Sequence, residues 1–466
     1  MLYLYNALPT YLTSKGDQNV QKILIANRGE IALRIIKTCQ KMGIETVAVY
    51  SEADKDMPFV TEATASYNIG AAPVSQSYLN IEAILNVARK EKVDAIHPGY
   101  GFLSENAEFA QTVEDEGIKY IGPDPETIKL MGDKILSRKT MATAGVPVVP
   151  GSNEGIKTLE EACRLAETME YPVMLKASSG GGGIGMVRCE NEQALIKAYE
   201  PTRARAKAYF GSDEVFVEKF ISDARHIEVQ IFGDHHGNRV TLFERDCSIQ
   251  RRHQKVIEES PSPFLSDTTK NLMFQTALAA AEAVQYKNAG TIEFIVDEHE
   301  NFYFLEMNTR LQVEHPVTEE ITGIDLVKWQ ILVANGEKLP LGQESIQSSG
   351  HAIEFRLYAE NPKTFLPSPG KIEVLDWDKG EGVRVDYGYV SNSVVTPYYD
   401  PMIAKCIIYG ASRDEAIGRA KLFFANLKIE GIRTNAPLFI EVLKEEDFLK
   451  GRYTTNFLTN KTFAVN

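Results

Sequence analysis

The sequence predicts an α/β protein, α+β in its larger body, and three observations carry that reading. Short buried-strand runs alternate with amphipathic helical segments over the first ~130 residues. Four consecutive glycines, Gly180 to Gly183, lie between two strand-like segments. Two apolar, aromatic runs flank a polar turn between Thr291 and Arg310, the pattern of an antiparallel hairpin with acidic side chains.

Lys22 to Asn27 reads as a buried strand, followed by Arg28, Gly29 and Glu30 and then an amphipathic helix to about Met42. Glu45 to Tyr50 is the next strand, so this is a βαβ unit with a right-handed crossover. A helix over Ile81–Lys90 precedes the strand Ala95–His97, which opens onto Pro98 to Asn106; the short strand Lys119–Gly122 follows. Such a doubly wound unit holds ligands at the carboxyl ends of its strands. Only Gly29 follows the first strand, so the dinucleotide fingerprint of a dehydrogenase is missing. From Lys134 a helix leads to a hinge at Ala144–Gly151. Beyond it lies a small unit of strand (Tyr171–Lys176), glycine run, strand from Met186, helix and strand (Glu214–Lys219). A larger α+β body begins near residue 221, and a final segment of turns and short strands opens at Gly350–Arg356.

With 466 residues the chain suggests two to four packed units, and 44% hydrophobic with 24% charged residues is ordinary for a globular protein. No apolar run is long enough to span a bilayer. Met1 to Val20 lacks the marks of a secretory signal or transit peptide and reads as a poorly structured extension. A net charge of −14 argues against a general nucleic-acid binder, which gains affinity by releasing counterions. Cys39, Cys163, Cys189, Cys247 and Cys406 are dispersed and odd in number, the pattern of a reducing compartment, so the expected location is cytoplasmic. Cys247 lies in a charged segment and is expected to be a buried structural thiol.

If Phe294 faces Leu305 across the hairpin, Glu293 faces Glu306. Two carboxylates directly opposite repel, and a cation between them turns that cost into a binding site. Alternation puts Glu306, Asn308 and Arg310 on one face. Carboxylates with an amide oxygen suit Mg²⁺ or Mn²⁺, which usually arrive with nucleotide phosphates. The same pattern also suits a solvated hairpin. The glycine run costs conformational entropy and supplies no side-chain burial, so it reads as a mobile phosphate-approaching loop or a flexible linker. It matches neither a Rossmann context nor a P-loop. Glu244 to Lys255 is a dense polar run for which a solvated loop is the default, although basic groups beside a metal also serve phosphoryl transfer. Glu314, four residues past Arg310, stands in position to act as a base, and His315 reads as a structural histidine.

Together these residues resemble the biotin carboxylase family of ATP-grasp enzymes. The matching stretches are Ile25–Arg34, His97–Asn106, Met131–Lys134, Glu244–Lys255, Glu306–Thr318 and Phe365–Gly370, and the likeness covers roughly residues 22 to 460. It implies an extension (1–21), a Rossmann-like pre-ATP-grasp domain (22–131), an ATP-grasp domain (132–347, with a lid at about 148–220) and a biotin carboxylase C-terminal domain (348–460). It implies that Lys134, Lys176, Gly182, Gly183, Glu218, Lys219, Ile221, His226, Gln250 and His253 contact ATP. Glu293, Glu306 and Asn308 are then the Mg²⁺ (or Mn²⁺) ligands. Lys255, Arg310, Gln312 and Val313 hold bicarbonate, Glu314 is its base, and Arg356 faces the biotin ureido oxygen.

The implied reaction passes through carboxyphosphate, which releases CO₂ beside a biotin nitrogen whose proton the freed phosphate removes. Ser179 and Ile184 depart from the family's glycine loop. No Met-Lys-Met biotin-attachment motif is present, so the resemblance implies a separate biotin carboxyl carrier protein, a carboxyltransferase subunit and a homodimer, as in an acyl-CoA carboxylase such as acetyl-CoA carboxylase. Neither nucleic acid nor membrane is an expected partner. Two other readings are an ATP-grasp ligase whose acyl phosphate is captured by an amine and a non-catalytic ATP-binding subunit. Glu314 and the Glu244–Lys255 run favour bicarbonate over the first, and no metal or phosphate residue is missing as the second would require.

Overall fold

The computed structural model describes residues 19–152, 154–178, 185–377 and 380–463. Most of the expected extension, and Ser179, Gly182, Gly183 and Ile184 of the glycine loop, lie outside the described residues. Among the described residues no helix is long and apolar enough to cross a membrane.

The first unit is a five-stranded parallel sheet of β1 (Lys22–Ile25), β2 (Glu45–Ser51), β3 (Ala65–Gly70), β4 (Ala95–His97) and β5 (Lys119–Tyr120), in the order β3-β2-β1-β4-β5. The helix Gly29–Met42 starts directly after β1 and ends at Gly43, whose φ of 72° lets its amide close the last turn on Cys39 and Gln40. Strand order reverses between β1 and β4, which opens a crevice at their carboxyl ends. β3 escapes the sequence pattern because its Ser66 and Tyr67 are only partly covered, Asn68 is exposed, and the three do not form an apolar run.

The next unit is an antiparallel sheet of β6 (Val173–Ala177), β7 (Met186–Cys189) and β8 (Val215–Lys219), with β6 in the middle. Helices Leu159–Met169 and Glu192–Phe210 pack on it around a core of its own, including Ala162, Leu175, Leu195 and Val217.

The body is one antiparallel sheet of eight strands. These are β9 (Arg225–Gly233), β10 (Arg239–Arg251), β11 (Gln254–Ser260), β12 (Asn288–Val296), β13 (Phe302–Asn308), β14 (His351–Tyr358), β15 (Val383–Tyr387) and β16 (Met402–Gly410). They run in the order β13-β12-β9-β10-β11-β14-β16-β15. The pairing of β11 with β14 carries this sheet without interruption across the boundary expected near residue 348.

Two expectations are corrected here. The polar run Glu244–Lys255 is not a solvated loop but the strand β10, a two-residue turn and the start of β11, with Glu244 to Gln250 buried. Its polar groups are tolerated inside because they pair with one another and with neighbouring strands. In the β12–β13 hairpin Glu293 does oppose Glu306, but a bulge shifts the register, so Phe294 faces Phe304 rather than Leu305.

Candidate active site

β9 shows how the sequence builds a polar floor. Ile227, Val229 and Ile231 pack in the core below the sheet, while His226, Glu228 and Gln230, at alternate positions, share the other face. All nine residues of the strand are buried, so each polar group needs a partner. Arg245 of β10, fully buried, supplies several: its Nε donates to Glu228 Oε1 at 2.5 Å, and its Nη1 donates to Gln230 Oε1 at 2.8 Å and to Thr318 Oγ1 at 2.9 Å.

Lys255 is the centre of the arrangement. Its ammonium lies 2.6 Å from Glu228, 2.8 Å from Glu293 and 2.6 Å from Glu314. Burial opposes the charged lysine, but these carboxylates outweigh it and hold its pKa well above the ordinary lysine value. Burial also works against the carboxylates. The Lys255 and Arg356 cations nonetheless keep Glu314 well below the ordinary range, and Lys255 and His226 do the same for Glu293. His226 Nε2 is 2.9 Å from Glu293, and its Nδ1 meets the Gln250 amide at 2.8 Å. Gln312 donates to Glu293 at 3.0 Å. Cys247 is buried against Glu314, with Sγ 3.7 Å from Oε1, and burial raises its thiol pKa far above normal, consistent with the expected inert thiol.

Glu314 therefore stands between two cations, Lys255 on Oε1 and Arg356 on Oε2 at 2.9 Å. Arg356 also contacts Glu258 at 2.5 Å. Glu354 and Glu360, the carboxylates nearest to it in the sequence, are not its ion-pair partners among the described residues, and Glu360 is held by Arg251 instead.

Glu306 presents the opposite situation to Glu293. Among the described residues its carboxylate has no hydrogen-bond or ion-pair partner, and burial followed by the facing Glu293 raises its pKa. Asn308 accepts from Arg310 Nη2 at 2.9 Å, while its own buried amide nitrogen has no hydrogen-bond partner among the described residues. An unpartnered carboxylate, a facing carboxylate and an amide oxygen on one hairpin fit a hard divalent cation. A second donor set, His226, Glu228 and Glu293, has ligand atoms within 4.8 Å of one another, but there Lys255 already supplies the positive charge to both glutamates. Arg310 lies beyond the end of β13 and is braced by Glu105 of the first unit, Nε to Oε2 at 2.9 Å. Val313 contributes its carbonyl, which accepts from the buried Lys405 at 2.9 Å.

The remaining expected residues approach from the side. Lys176 of β6 is 2.5 Å from Glu218 of β8, which Arg138 also reaches at 3.4 Å. Lys134 opens the helix Lys134–Thr143, and burial lowers its pKa against the pull of Glu306. Lys219 Nζ is turned to the Glu170 carbonyl at 2.8 Å, Ile221 follows β8, and His253 is exposed in the β10–β11 turn with a φ of 64°. No hydrogen bond or ion pair among the described residues joins these three to the Lys255 cluster. Sequence reasoning missed Glu228, Arg245, Glu258 and Glu105. A period-two polar series in an apolar strand was the available signal for Glu228; Arg245 and Glu105 lie inside the stretches Glu244–Lys255 and His97–Asn106 that carry the resemblance, and Glu258 has no local signal.

With this geometry in place, comparison with known proteins is decisive. Residues 19–128 match the model of the biotin carboxylase N-terminal domain and 354–460 that of the biotin carboxylase C-terminal domain. Residues 133–342 match the ATP binding domain of the carbamoyl-phosphate synthase L chain. Biotin carboxylase 2 of Bacillus subtilis is 58% identical over 437 residues, 94% of this chain and 98% of that protein. The chain belongs to the biotin carboxylase family. Among solved structures, the Campylobacter jejuni biotin carboxylase in complex with β,γ-ATP superposes with a TM-score of 0.93 at 47% identity, covering 95% of this chain and 99% of that one. The biotin carboxylase domain dimer of Hydrogenobacter thermophilus 2-oxoglutarate carboxylase, bound to MgADP, ADP and bicarbonate, gives 0.92 at 46%, covering 95% and 98%. The chain is accordingly a biotin carboxylase, a ligase of the ATP-grasp type.

Proposed function

We propose that the Lys255 cluster is where this biotin carboxylase activates bicarbonate with ATP, and that the biotin it carboxylates is carried on a separate carrier protein, in the first half-reaction of an acyl-CoA carboxylase. The observation that carries the reading is Glu314, a buried carboxylate held ionised between Lys255 and Arg356 and a few residues from the acidic hairpin. Glu314 accepts the bicarbonate proton, which leaves an oxygen able to attack the γ-phosphate of ATP. Lys255, Arg310 and Gln312 hold bicarbonate, with the Val313 backbone at its side, and the two cations offset charge as it moves between oxygens. Lys134, Lys176, Gly182, Gly183, Glu218, Lys219, Ile221, His226, Gln250 and His253 bind the nucleotide from the lid and the body. Glu293, Glu306 and Asn308 would hold Mg²⁺, which when bound neutralises phosphate charge. Arg356 steadies the ureido oxygen of biotin as its nitrogen loses a proton.

The Hydrogenobacter relative is a dimer, which supports a homodimer here as well. Transfer of labelled bicarbonate onto free biotin, and then onto a biotinylated carrier, with Mg-ATP present tests the proposal. ATP-dependent ligation of an amine in place of biotin would instead favour another ATP-grasp ligase.

A further inference from the structure

Arg356 is held on two sides, and only one of those holds survives the reaction proposed above. Its Nη2 lies 2.9 Å from Glu314 and 2.5 Å from Glu258. Glu258 lies on β11, wholly buried, and has no other ion-pair partner among the described residues. Across the β11–β14 pairing it directly opposes Glu354, also wholly buried, and among the described residues neither carboxylate has a hydrogen-bond partner, so Glu258 meets Arg356 as a close ion pair. Lys405, opposite Arg356 on β16, turns away to the Val313 carbonyl and to Glu30 at 3.2 Å. Among the described residues the carboxylates that pair with Arg356 are thus Glu258 and Glu314.

When Glu314 takes the bicarbonate proton it becomes neutral, and the charge-assisted bond that it gives Arg356 weakens. Burial pushes the Glu258 pKa up to about 7 against the pull of Arg356, and the Glu314 charge pushes it up further, so neutralising Glu314 favours the ionised form of Glu258. Among the described residues Glu258 is then the remaining carboxylate in contact with the guanidinium, at the stage when Arg356 must face the biotin ureido oxygen. We propose that Glu258 is a positioning residue for the biotin step: it anchors Arg356 while Glu314 carries the proton. This inference rests on the function proposed above.

The test compares E258Q, E258D and E354Q by two activities: carboxylation of free biotin, and bicarbonate-dependent ATP hydrolysis without biotin. E258Q keeps shape and loses charge, so its kcat for biotin carboxylation should fall on the order of 10²-fold, the effect of a misplaced catalytic group. Its KM for ATP and its biotin-free ATP hydrolysis should stay within about threefold of wild type, because Arg356 takes no part in phosphate binding. E258D keeps the charge on a shorter arm and should give an intermediate rate. E354Q, equally buried but without a grip on Arg356, should behave as wild type. A wild-type carboxylation rate in E258Q, or equal losses in both activities, would overturn the inference, as would an E354Q loss matching that of E258Q. If E258Q does not fold, E258D decides: an undiminished carboxylation rate, or an ATP hydrolysis loss equal to its carboxylation loss, overturns the anchor. A wild-type protein that puts no label on biotin sinks the functional proposal itself, whereas an active wild type with an equally active E258Q sinks only the role of Glu258.

Discussion

Glu293 and Glu306 face each other on one hairpin, yet removing their charges should have opposite consequences. Glu293 is gripped by Lys255 at 2.8 Å, His226 at 2.9 Å and Gln312 at 3.0 Å. Glu306 has no ion-pair partner among the described residues; beyond its burial it feels repulsion from Glu293 and, less, from Glu105, against more distant attraction to Lys134 and His226. Glu293→Gln removes one member of a buried ion pair and leaves donors facing an amide, a change that typically costs about 3–5 kcal/mol. Glu228 and Glu314 still satisfy Lys255, so the lower end of that range applies. Glu306→Gln removes one of two like charges directly opposite, which should be neutral or stabilising by up to about 1 kcal/mol. For a domain of 150–250 residues each kcal/mol moves the melting temperature by about 2–4 °C. Calorimetry should therefore show Glu293→Gln melting several degrees low and Glu306→Gln at or slightly above wild type. Both variants should lose most labelled-bicarbonate fixation, and Glu306→Gln should need more Mg²⁺ to reach its residual rate. A Glu306→Gln protein that melts as low as Glu293→Gln, or one with an unchanged magnesium titration, would refute the idea of a frustrated pair that a cation relieves.

Arg356→Ala should cut biotin carboxylation by on the order of 10²–10³-fold, as for loss of one donor to a developing oxyanion, with ATP binding by calorimetry near wild type; equal loss of ATP affinity would contradict a role confined to biotin. Glu105→Gln loosens the brace on Arg310 and should lower kcat roughly tenfold without a melting shift, since Glu105 is partly exposed and such pairs add little stability; an unchanged kcat would show that Arg310 needs no brace. Acid should destabilise the fold in two stages. Burial holds the His97 pKa down at about 3, so between its ordinary value of 6.5 and that point the unfolded chain binds the proton that the folded one refuses, and stability falls as pH falls below 6.5. Glu259 is held at about 2 because Arg413 and His351 outweigh its burial, and its contribution, roughly 3 kcal/mol, is present above 4.5 and lost as pH drops towards 2. Melting of wild type and Glu259→Gln between pH 7 and 3 checks this: the variant should be flatter below pH 4.5, and parallel curves would refute the assignment.

The sequence alone determined what is periodic or locally encoded. The strands β1, β2 and β4, the helix after Gly29, the β12–β13 hairpin and the opposition of Glu293 to Glu306 were all legible, because burial writes apolar runs and antiparallel pairing follows from a short turn. Long motifs made the family legible too. Only the tertiary structure decided where the charges in Glu244–Lys255 go. A polar run looks solvated in one dimension, and it becomes an interior only when β9, β11 and β14 bring it partners. The same reason hid Glu258 and Glu105: their worth comes from Arg356 and Arg310, which lie 98 and 205 residues away in the chain, and no local pattern records contacts made across such distances. The bulge after Glu293 was equally invisible, since one extra residue alters register without altering composition.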